Sequence, residues 1–248
     1  MKKTLRKSAG IVSGMTILSR IFGFIRDAFI AMTFGSSTAA DAFFVAFRIP
    51  NMQRRVLGEG AVSSAFIPVF AEVLAQNGKQ AAQELTANIF NILFILLSIT
   101  SLILFIFSPV VIAVFAPGFL DNPAKFKLTV DLTRWMAPYL FFIGLTAFSM
   151  GILNSLKVFA LPAATPILQN ILMIASMLIL VPQMEEPIFG LAIGVVIGGA
   201  IQVLIQLPSI RKKGYGFKKY LRFKQPEVIK IAKLMGPAII GLAVYEVN

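Results

Sequence analysis

Long apolar stretches dominate the pattern of hydrophobic and polar positions. A bilayer-spanning helix needs about 18 or more largely uncharged residues, and four windows meet that length without a single charge: 89–107, 136–154, 163–181 and 187–208. Apolar periodicity and turn residues predict helices near 8–35, 41–76, 82–116, 127–156, 162–181 and 187–210, with a seventh beginning near Glu227. The predicted fold class is an all-α polytopic membrane protein with six transmembrane helices forming one lobe plus the start of a seventh.

The longest polar stretch divides this pattern into three parts. We expect a six-helix transmembrane lobe at 1–210, a basic cytoplasmic loop at 211–226 and the start of a truncated seventh helix at 227–248. About 12 largely apolar residues follow Gly236, which is fewer than the roughly 20 that a spanning helix needs. The first segment is long and contains charges, so we interpret it as a retained helix rather than a secretory signal.

Composition agrees with the membrane interpretation and narrows the chemistry. The chain is 57% hydrophobic and 14% charged, against about 45–50% and about 25% in soluble domains. It has no Cys and no His, which excludes thiol nucleophiles, disulfides, Cys/His zinc sites and a histidine proton shuttle. No phosphate-binding glycine loop, carboxylate pair or serine nucleophile pattern stands out. We therefore expect no enzymatic activity, no catalytic residue, no metal and no cofactor.

The net charge of +12 is placed unevenly along the chain. With the N-terminus inside, 13 of the 23 Lys and Arg residues fall in predicted inside segments, as the positive-inside rule requires. The loop 211–224 carries many of them, and anionic headgroups of the inner leaflet are the expected partner. A nucleic-acid partner is not expected. Trp135 and Tyr139 are interpreted as interfacial anchors, and Gly194, Gly198 and Gly199 as positions of close helix packing.

The first predicted helix contains charges where a bilayer disfavours them. Each charge at the bilayer centre costs about 2.5–3.5 kcal/mol, and this helix contains Arg20, Arg26 and Asp27. Steps of three and four residues place a polar set on one stripe, with Arg26 one residue round on its flank: Gly10, Ser13, Thr16, Arg20, Gly23 and Asp27. Such a stripe faces other helices or a water-filled cavity.

The second predicted helix repeats this arrangement. Four of its charged residues lie within about 40° of one another on an ideal helix, with Asn51 on the flank: Asp41, Arg48, Arg55 and Glu59. Pro50, Gly58, Gly60 and Pro68 predict bends, and broken helices are common where transporters bind substrate.

The charges of the two helices do not balance. Five arginines (Arg20, Arg26, Arg48, Arg54 and Arg55) face three carboxylates, an excess of two positive charges. A planar guanidinium suits phosphate or pyrophosphate, so an anionic ligand is implied. Two other interpretations remain open. Asp27 and an arginine could form a structural pair between packed helices, and Arg54 and Arg55 could be loop residues.

The sequence around these charges contains several distinctive segments: Met15 to Asp27, Asp41 to Asn51, Arg54-Arg55, Glu59-Gly60-Ala61 and Ala65-Phe66-Ile67-Pro68. In these segments the chain resembles the MurJ (MviN) family of lipid II flippases. The resemblance continues through Ala116-Pro117-Gly118-Phe119, Pro138-Tyr139, the segment Gly151 to Asn154 and the segment Met235 to Ala238. The family often has Lys where Arg48 stands, a change that keeps the charge.

The resemblance implies a fold, a substrate and roles for residues. The fold is that of the multidrug/oligosaccharidyl-lipid/polysaccharide exporter superfamily, with two six-helix lobes around a cationic cavity in the bacterial inner membrane. The substrate is lipid II, moved from the inner to the outer leaflet by alternating access. Arg20, Arg26 and Asp27 would line the cavity, and the arginines would bind pyrophosphate. Substrate access and the inner gate would involve Asp41, Arg48, Asn51, Arg54, Arg55 and Glu59.

The resemblance also leaves alternatives. The family needs a second, C-terminal lobe, which would be a missing partner of this chain. A flippase for another undecaprenyl-linked oligosaccharide or a multidrug exporter would share the superfamily fold. A non-transporting membrane scaffold for cell-wall synthesis belongs to a different functional class, and there the cavity arginines should tolerate substitution.

Overall fold

The computed structural model describes residues 2–54, 62–216 and 220–247. Within these ranges the regular structure is helical, with no strand. Eight α-helices follow one another: α1 (Lys2–Phe34), α2 (Thr38–Arg54), α3 (Val62–Gln76), α4 (Gly78–Phe115), α5 (Pro123–Ser155), α6 (Ala160–Ile179), α7 (Pro187–Lys212) and α8 (Pro226–Val247). Short 3-10 turns at Pro117–Phe119 and Val181–Gln183 join α4 to α5 and α6 to α7.

Local sequence explains where several helices begin. Pro123 and Pro187 occupy first-turn positions of α5 and α7, where a missing N–H removes no helical hydrogen bond. The side chain of Asn122 caps α5 by accepting a hydrogen bond from the backbone N–H of Lys125 at 3.1 Å. Gly35, with a φ of +58°, forms the three-residue turn between α1 and α2, and this left-handed conformation favours glycine.

In the described part of the chain, four helical segments are long and apolar enough to cross a membrane: Gly78–Phe115, Pro123–Ser155, Ala160–Gln183 and Pro187–Lys212. A shorter apolar helix lies at Ser64–Gln76. The predicted polytopic helical fold class is confirmed. The count of six spans, with the boundaries 1–210, 211–226 and 227–248, stays a prediction. The predicted second helix at 41–76 corresponds to two described helices, α2 and α3, on either side of residues outside the described part.

Helix α5 lies at the centre of the lobe and packs against α2, α3, α4 and α7. Helix α6 packs between α7 and α1, so α1 reaches the lobe mainly through α6. One large core cluster joins α3, α4, α5 and α7, with Phe66 and Phe148 in edge contact at 4.9 Å. A second joins α2, α5, α6 and α7 and includes Ile30 of α1.

Close approach between α5 and α7 depends on glycine. A Cβ atom placed on Gly199 would lie 2.6 Å from Cδ2 of Tyr139 and 3.1 Å from Cβ of Phe142. The predicted packing role of Gly199 is therefore confirmed, and similar crowding surrounds Gly194 and Gly198. Trp135 is exposed as an anchor should be, but Tyr139 is buried under Gly199. The prediction of Tyr139 as an interfacial anchor was wrong, because its ring fills the space that the glycine leaves.

Candidate functional site

Helix α1 has three different faces. One packs against α6 and includes the partly buried Gly23 and Arg26 and the buried Ile30. A second face carries the predicted polar stripe apart from Gly23, and its members Ser13, Arg20 and Asp27 are exposed. The third face is apolar and equally exposed: Ile17, Leu18, Ile21, Phe24 and Met32. An apolar exposed face suits lipid, so the polar stripe lies between the lipid-facing side and the α6 contact.

Arg26 is the most constrained charge on this helix. Its Nε and Nη2 donate to one carboxylate oxygen of Asp27, at 2.9 and 2.7 Å. Its Nη1 donates to Oδ1 of Asn170 on α6, at 2.9 Å. A guanidinium has five N–H donors, so two of them remain beyond these three bonds. The Arg26 side chain is 23% exposed. Its guanidinium is therefore held in place and remains accessible from outside the described helices.

Asn170 orients Arg26 and is itself held in place. It lies buried in α6 and donates from Nδ2 to the backbone carbonyl of Ser19 on α1, at 3.1 Å. The same amide therefore bonds two points of α1 that lie about two helical turns apart. Because this amide accepts from the arginine with its oxygen, it fixes the guanidinium plane without neutralising its charge.

Arg20 and Arg48 are exposed and have no hydrogen-bond or ion-pair partner among the described residues. On α2, Asp41 and Arg48 share the exposed side, while Ala42, Phe43 and other residues of the opposite side are buried. The two groups lie on one face, as the sequence predicts. Helix α2 continues through the buried Pro50 to Arg54. Asn51 is partly buried beside this face.

Distances along the helix axes separate the predicted site residues. At 1.5 Å per residue, Arg26 lies about 12 Å from the end of α1, and Arg48 lies about 15 Å from the start of α2. The two arginines therefore lie at similar axial distances from the three-residue turn that joins the helices. Asp41 lies close to that turn instead, about 20 Å along α2 from Arg54.

Asp41 has its own partner at this end of the lobe. Nζ of Lys125 at the start of α5 is 2.9 Å from its carboxylate. The same ammonium lies 4.1 Å from the centre of the Phe119 ring. The structure thus brings Arg26 and Asp27 together and separates Asp41 from the other predicted site residues. The side chain of Arg54 and the whole of Arg55 and Glu59 lie outside the described residues.

This arrangement suits the binding of an anion. Arg20, Arg26 and Arg48 carry positive charge on the described side chains of α1 and α2. Arg20 and Arg48 have no described partner, and Arg26 retains two free donors. Among the described residues there is no group of three or more His, Cys, Asp and Glu side chains that could hold a metal ion. Phosphate and pyrophosphate oxygens match the donor geometry of guanidinium groups.

Sequence reasoning missed Asn170 as a member of this site. The signal in the sequence was a polar pair, Gln169-Asn170, in the middle of an otherwise apolar helix. Gln169 continues the polar contacts inward by accepting a hydrogen bond from Gln202 of α7 and donating to the backbone of Val195 at 3.3 Å. The sequence does not reveal which residue a buried Asn or Gln contacts when no charged residue lies next to it in the chain.

Comparison with known proteins gives one family. The family model described as lipid II flippase MurJ matches residues 30–248. A probable lipid II flippase MurJ of Vibrio cholerae serotype O1 is 42% identical over all of this chain and 49% of its own length. The lipid II flippase MurJ of Burkholderia cenocepacia is 37% identical over 96% of this chain and 47% of its own length. The chain spans about half the length of these relatives.

Solved structures agree with the sequence relatives. A lipid II flippase MurJ in an inward closed conformation superimposes with a TM-score of 0.78 at 29% identity, covering 94% of this chain and 47% of that one. A Vibrio cholerae MATE transporter, VcmN, gives a TM-score of 0.79 at 15% identity, covering 97% of this chain and 53% of that one. The MATE likeness shows the shared fold alone.

Proposed function

The chain belongs to the lipid II flippase MurJ family, and from that premise we propose that it forms the N-terminal lobe of a flippase for lipid II. Lipid II would move from the inner to the outer leaflet of the bacterial inner membrane, with the N-terminus of the chain in the cytoplasm. The second lobe would come from the part of the family's length that this chain does not span. Transport requires no covalent chemistry from the protein, which accords with the absence of Cys and His.

The single observation that carries this proposal is the state of Arg26. A neighbouring carboxylate and a buried amide hold its guanidinium in one orientation, and two N–H groups remain for a ligand. Arg20 and Arg48 add positive charge that no described residue neutralises. Unpaired cations at membrane depth are unfavourable, so we infer that the pyrophosphate of lipid II pairs with them.

Alternating access fits this distribution of charge and packing. Helices α4 to α7 form the close-packed body of the lobe, whereas α1 contacts that body mainly through α6. We propose that the arginine face of α1 and α2 turns toward the second lobe and that the two lobes rock around the bound headgroup. Arg54, Arg55 and Glu59 remain proposed parts of the inner gate, together with Asn51. Asp41 is proposed to act near the opposite end of α2.

Native mass spectrometry of the purified chain with lipid II tests the proposal directly. Arg26→Ala should reduce retained lipid II at least tenfold, since hydrogen bonds to charged groups contribute about 1.5–3 kcal/mol each. Arg134→Ala is the matched control. Arg134 is also a partly exposed helical arginine, with Ser108 at 3.1 Å and Asp131 at 3.7 Å. Equal loss in both variants would contradict recognition by Arg26.

A second measurement addresses transport itself. Joining this chain to the C-terminal half of the Vibrio cholerae relative should produce translocation of lipid II in vesicles, and Arg26→Ala should abolish it. Full translocation with that substitution would contradict the proposed role. Competition between lipid II and other undecaprenyl-linked oligosaccharides on the same chimera would report the substrate.

Multidrug export is a second candidate because the MATE transporters share this fold. The charge of the site disfavours it, since a cationic or neutral drug would leave the arginines of α1 and α2 without a partner. Displacement of bound lipid II by a hydrophobic cation such as ethidium would favour drug export. Displacement by pyrophosphate lipids alone would favour the flippase.

A further inference from the structure

Residues 220–225, which precede α8, are fastened to the side of α4 by the side-chain amides of Asn88 and Asn91. Asn88, which is fully buried, accepts a hydrogen bond from the backbone N–H of Arg222 at 2.7 Å and donates to the carbonyl of Arg222 at 2.9 Å. It also donates to the side chain of Gln225 at 2.7 Å. Asn91 donates to the carbonyl of Tyr220 at 2.8 Å. Residues 220–225 are therefore held at a fixed position rather than trailing in solvent.

The fastening point coincides with a boundary in α4. Before Asn88 the helix carries Lys79, Gln83 and Glu84, and from Ile89 it runs without a charge to Phe107. A change from charged to apolar residues along a spanning helix marks the membrane surface. The bonds from Asn88 and Asn91 thus place residues 220–225 at the level where α4 enters the bilayer.

The fastened segment presents alternating apolar and basic side chains. Leu221, Arg222, Phe223 and Lys224 are all exposed, the two apolar ones by 47% and 57%. The Arg222 guanidinium lies 4.9 Å from the centre of the Tyr220 ring. An open cavity of about 540 Å³ is lined by Arg222, Phe223, Lys224, Gln225 and Pro226. None of the described residues that line it is acidic.

We propose that this cavity binds the headgroup of an anionic glycerophospholipid. Leu221 and Phe223 enter the adjoining acyl region while Arg222 and Lys224 contact the lipid phosphate, as basic and apolar residues do at membrane interfaces. Nucleic acid fits this surface less well, because two exposed apolar side chains alternate with the cations at bilayer level. The site is separate from the arginines of α1 and α2 and does not depend on lipid II.

Competition between phospholipids in native mass spectrometry tests the site. The full chain is presented with equal amounts of phosphatidylglycerol and phosphatidylcholine. Wild type should retain phosphatidylglycerol preferentially. The double variant Arg222→Gln/Lys224→Gln should lose that preference about tenfold or more, since each cation near an anionic surface contributes roughly fivefold. Lys212→Gln/Lys213→Gln removes equal charge from the nearby end of α7 and should change retention less than about twofold.

Two further experiments distinguish a defined binding site from general electrostatic attraction to anionic lipid. Asn88→Ala keeps every charge but releases Arg222 from α4, and it should also reduce the preference. Glycerol phosphate in solution should not displace the lipid, because it lacks the chains that Leu221 and Phe223 contact. Equal effects of the two double variants, an unchanged preference in Asn88→Ala, or displacement by glycerol phosphate would each overturn the proposal.

Depth measurement provides an independent readout of position. In a single-tryptophan variant, Trp135→Phe/Phe223→Trp, brominated lipid chains should quench the fluorescence most strongly when bromine is near the headgroup. Asn88→Ala in that background should weaken the quenching. Tryptophan emission insensitive to brominated lipid would place residue 223 in water and contradict the proposed contact.

Discussion

The contact between α5 and α7 and the contact between α1 and α6 each join two long helices, but with opposite kinds of residue. Between α5 and α7, Gly199 admits the buried ring of Tyr139. Between α1 and α6, the contact includes Arg26 and Asn170. The contact between α5 and α7 is a close packing of apolar side chains, whereas the contact between α1 and α6 holds a charged side chain in one orientation. The helix contact inside the lobe therefore depends on close packing, and the helix contact beside the candidate site depends on hydrogen bonds between polar side chains.

The two pairs of helices also differ in exposure, since α5 is largely buried and α1 is exposed on two of its faces. Residues of the most apolar part of α5 are largely buried. Both the polar stripe, apart from Gly23, and the apolar face of α1 are exposed. Substitutions should therefore affect stability when they lie between α5 and α7, and ligand binding when they lie on α1 and its support.

The largest expected effect on stability comes from a methyl group between α5 and α7. Gly199→Ala should lower the free energy of unfolding by about 1–3 kcal/mol, because the buried ring of Tyr139 has little room to move. Gly14→Ala on α1 meets no atom within 4 Å and should be neutral or stabilising by up to about 1 kcal/mol. Unfolding in mixed micelles with increasing SDS measures both. Equal destabilisation would remove the distinction between the two contacts.

The next effect concerns ligand binding through Asn170. Asn170→Ala removes the amide that holds Nη1 of Arg26, so lipid II retention should fall about three- to tenfold as the guanidinium loses its fixed orientation. Gln202→Ala is the matched control, since Gln202 is equally buried and bonds to Gln169 but not to α1. It should reduce stability while leaving retention unchanged. If Asn170→Ala reduced stability and left lipid II retention unchanged, Asn170 would have a structural role only.

Sequence pattern predicted the faces of the helices better than their partners. Steps of three and four residues predicted the shared exposure of Ser13, Arg20 and Asp27 on α1 and of Asp41 and Arg48 on α2, because helical geometry alone fixes such positions. Gly23 of the predicted stripe lies instead on the face that packs against α6. The contact of Arg26 with Asn170 joins residues 144 positions apart. No local pattern encodes it, since an amide in an apolar helix has many possible partners.

The same limit explains two other differences. The family resemblance groups Asp41 with the residues of substrate access and the inner gate, but in the structure Asp41 pairs with Lys125 near the start of α2. Asn88 and Asn91 look like isolated polar residues at the start of an apolar helix, yet they fasten the segment at 220–225. Angular position can be predicted from spacing, whereas axial position and long-range contacts depend on the assembled lobe.

A smaller, pH-dependent effect is expected from Tyr215, which follows α7 and packs against Phe70 at 5.5 Å. Burial raises the pKa of the Tyr215 phenol above its ordinary value of 10.0. A raised pKa in the folded state means that the stability contribution is complete below pH 10 and is lost as pH rises through the folded value. The wild type should therefore lose more stability than Tyr215→Phe between pH 9 and pH 11, measured by thermal unfolding. Parallel curves would contradict this assignment.

The smallest effect is expected where a charge pair lies at the exposed end of the lobe. Asp41→Asn removes the ion pair with Lys125, and exposed pairs contribute only about 0.2–1 kcal/mol. Lys125 is itself largely covered and keeps its contact with the Phe119 ring, so the lysine retains a favourable environment. Lipid II retention by the isolated chain should stay within about twofold of wild type, because the Asp41 carboxylate pairs with Lys125 and lies about 10 Å along α2 from Arg48. A loss as large as that of Arg26→Ala would contradict this expectation and would make Asp41 part of the binding site.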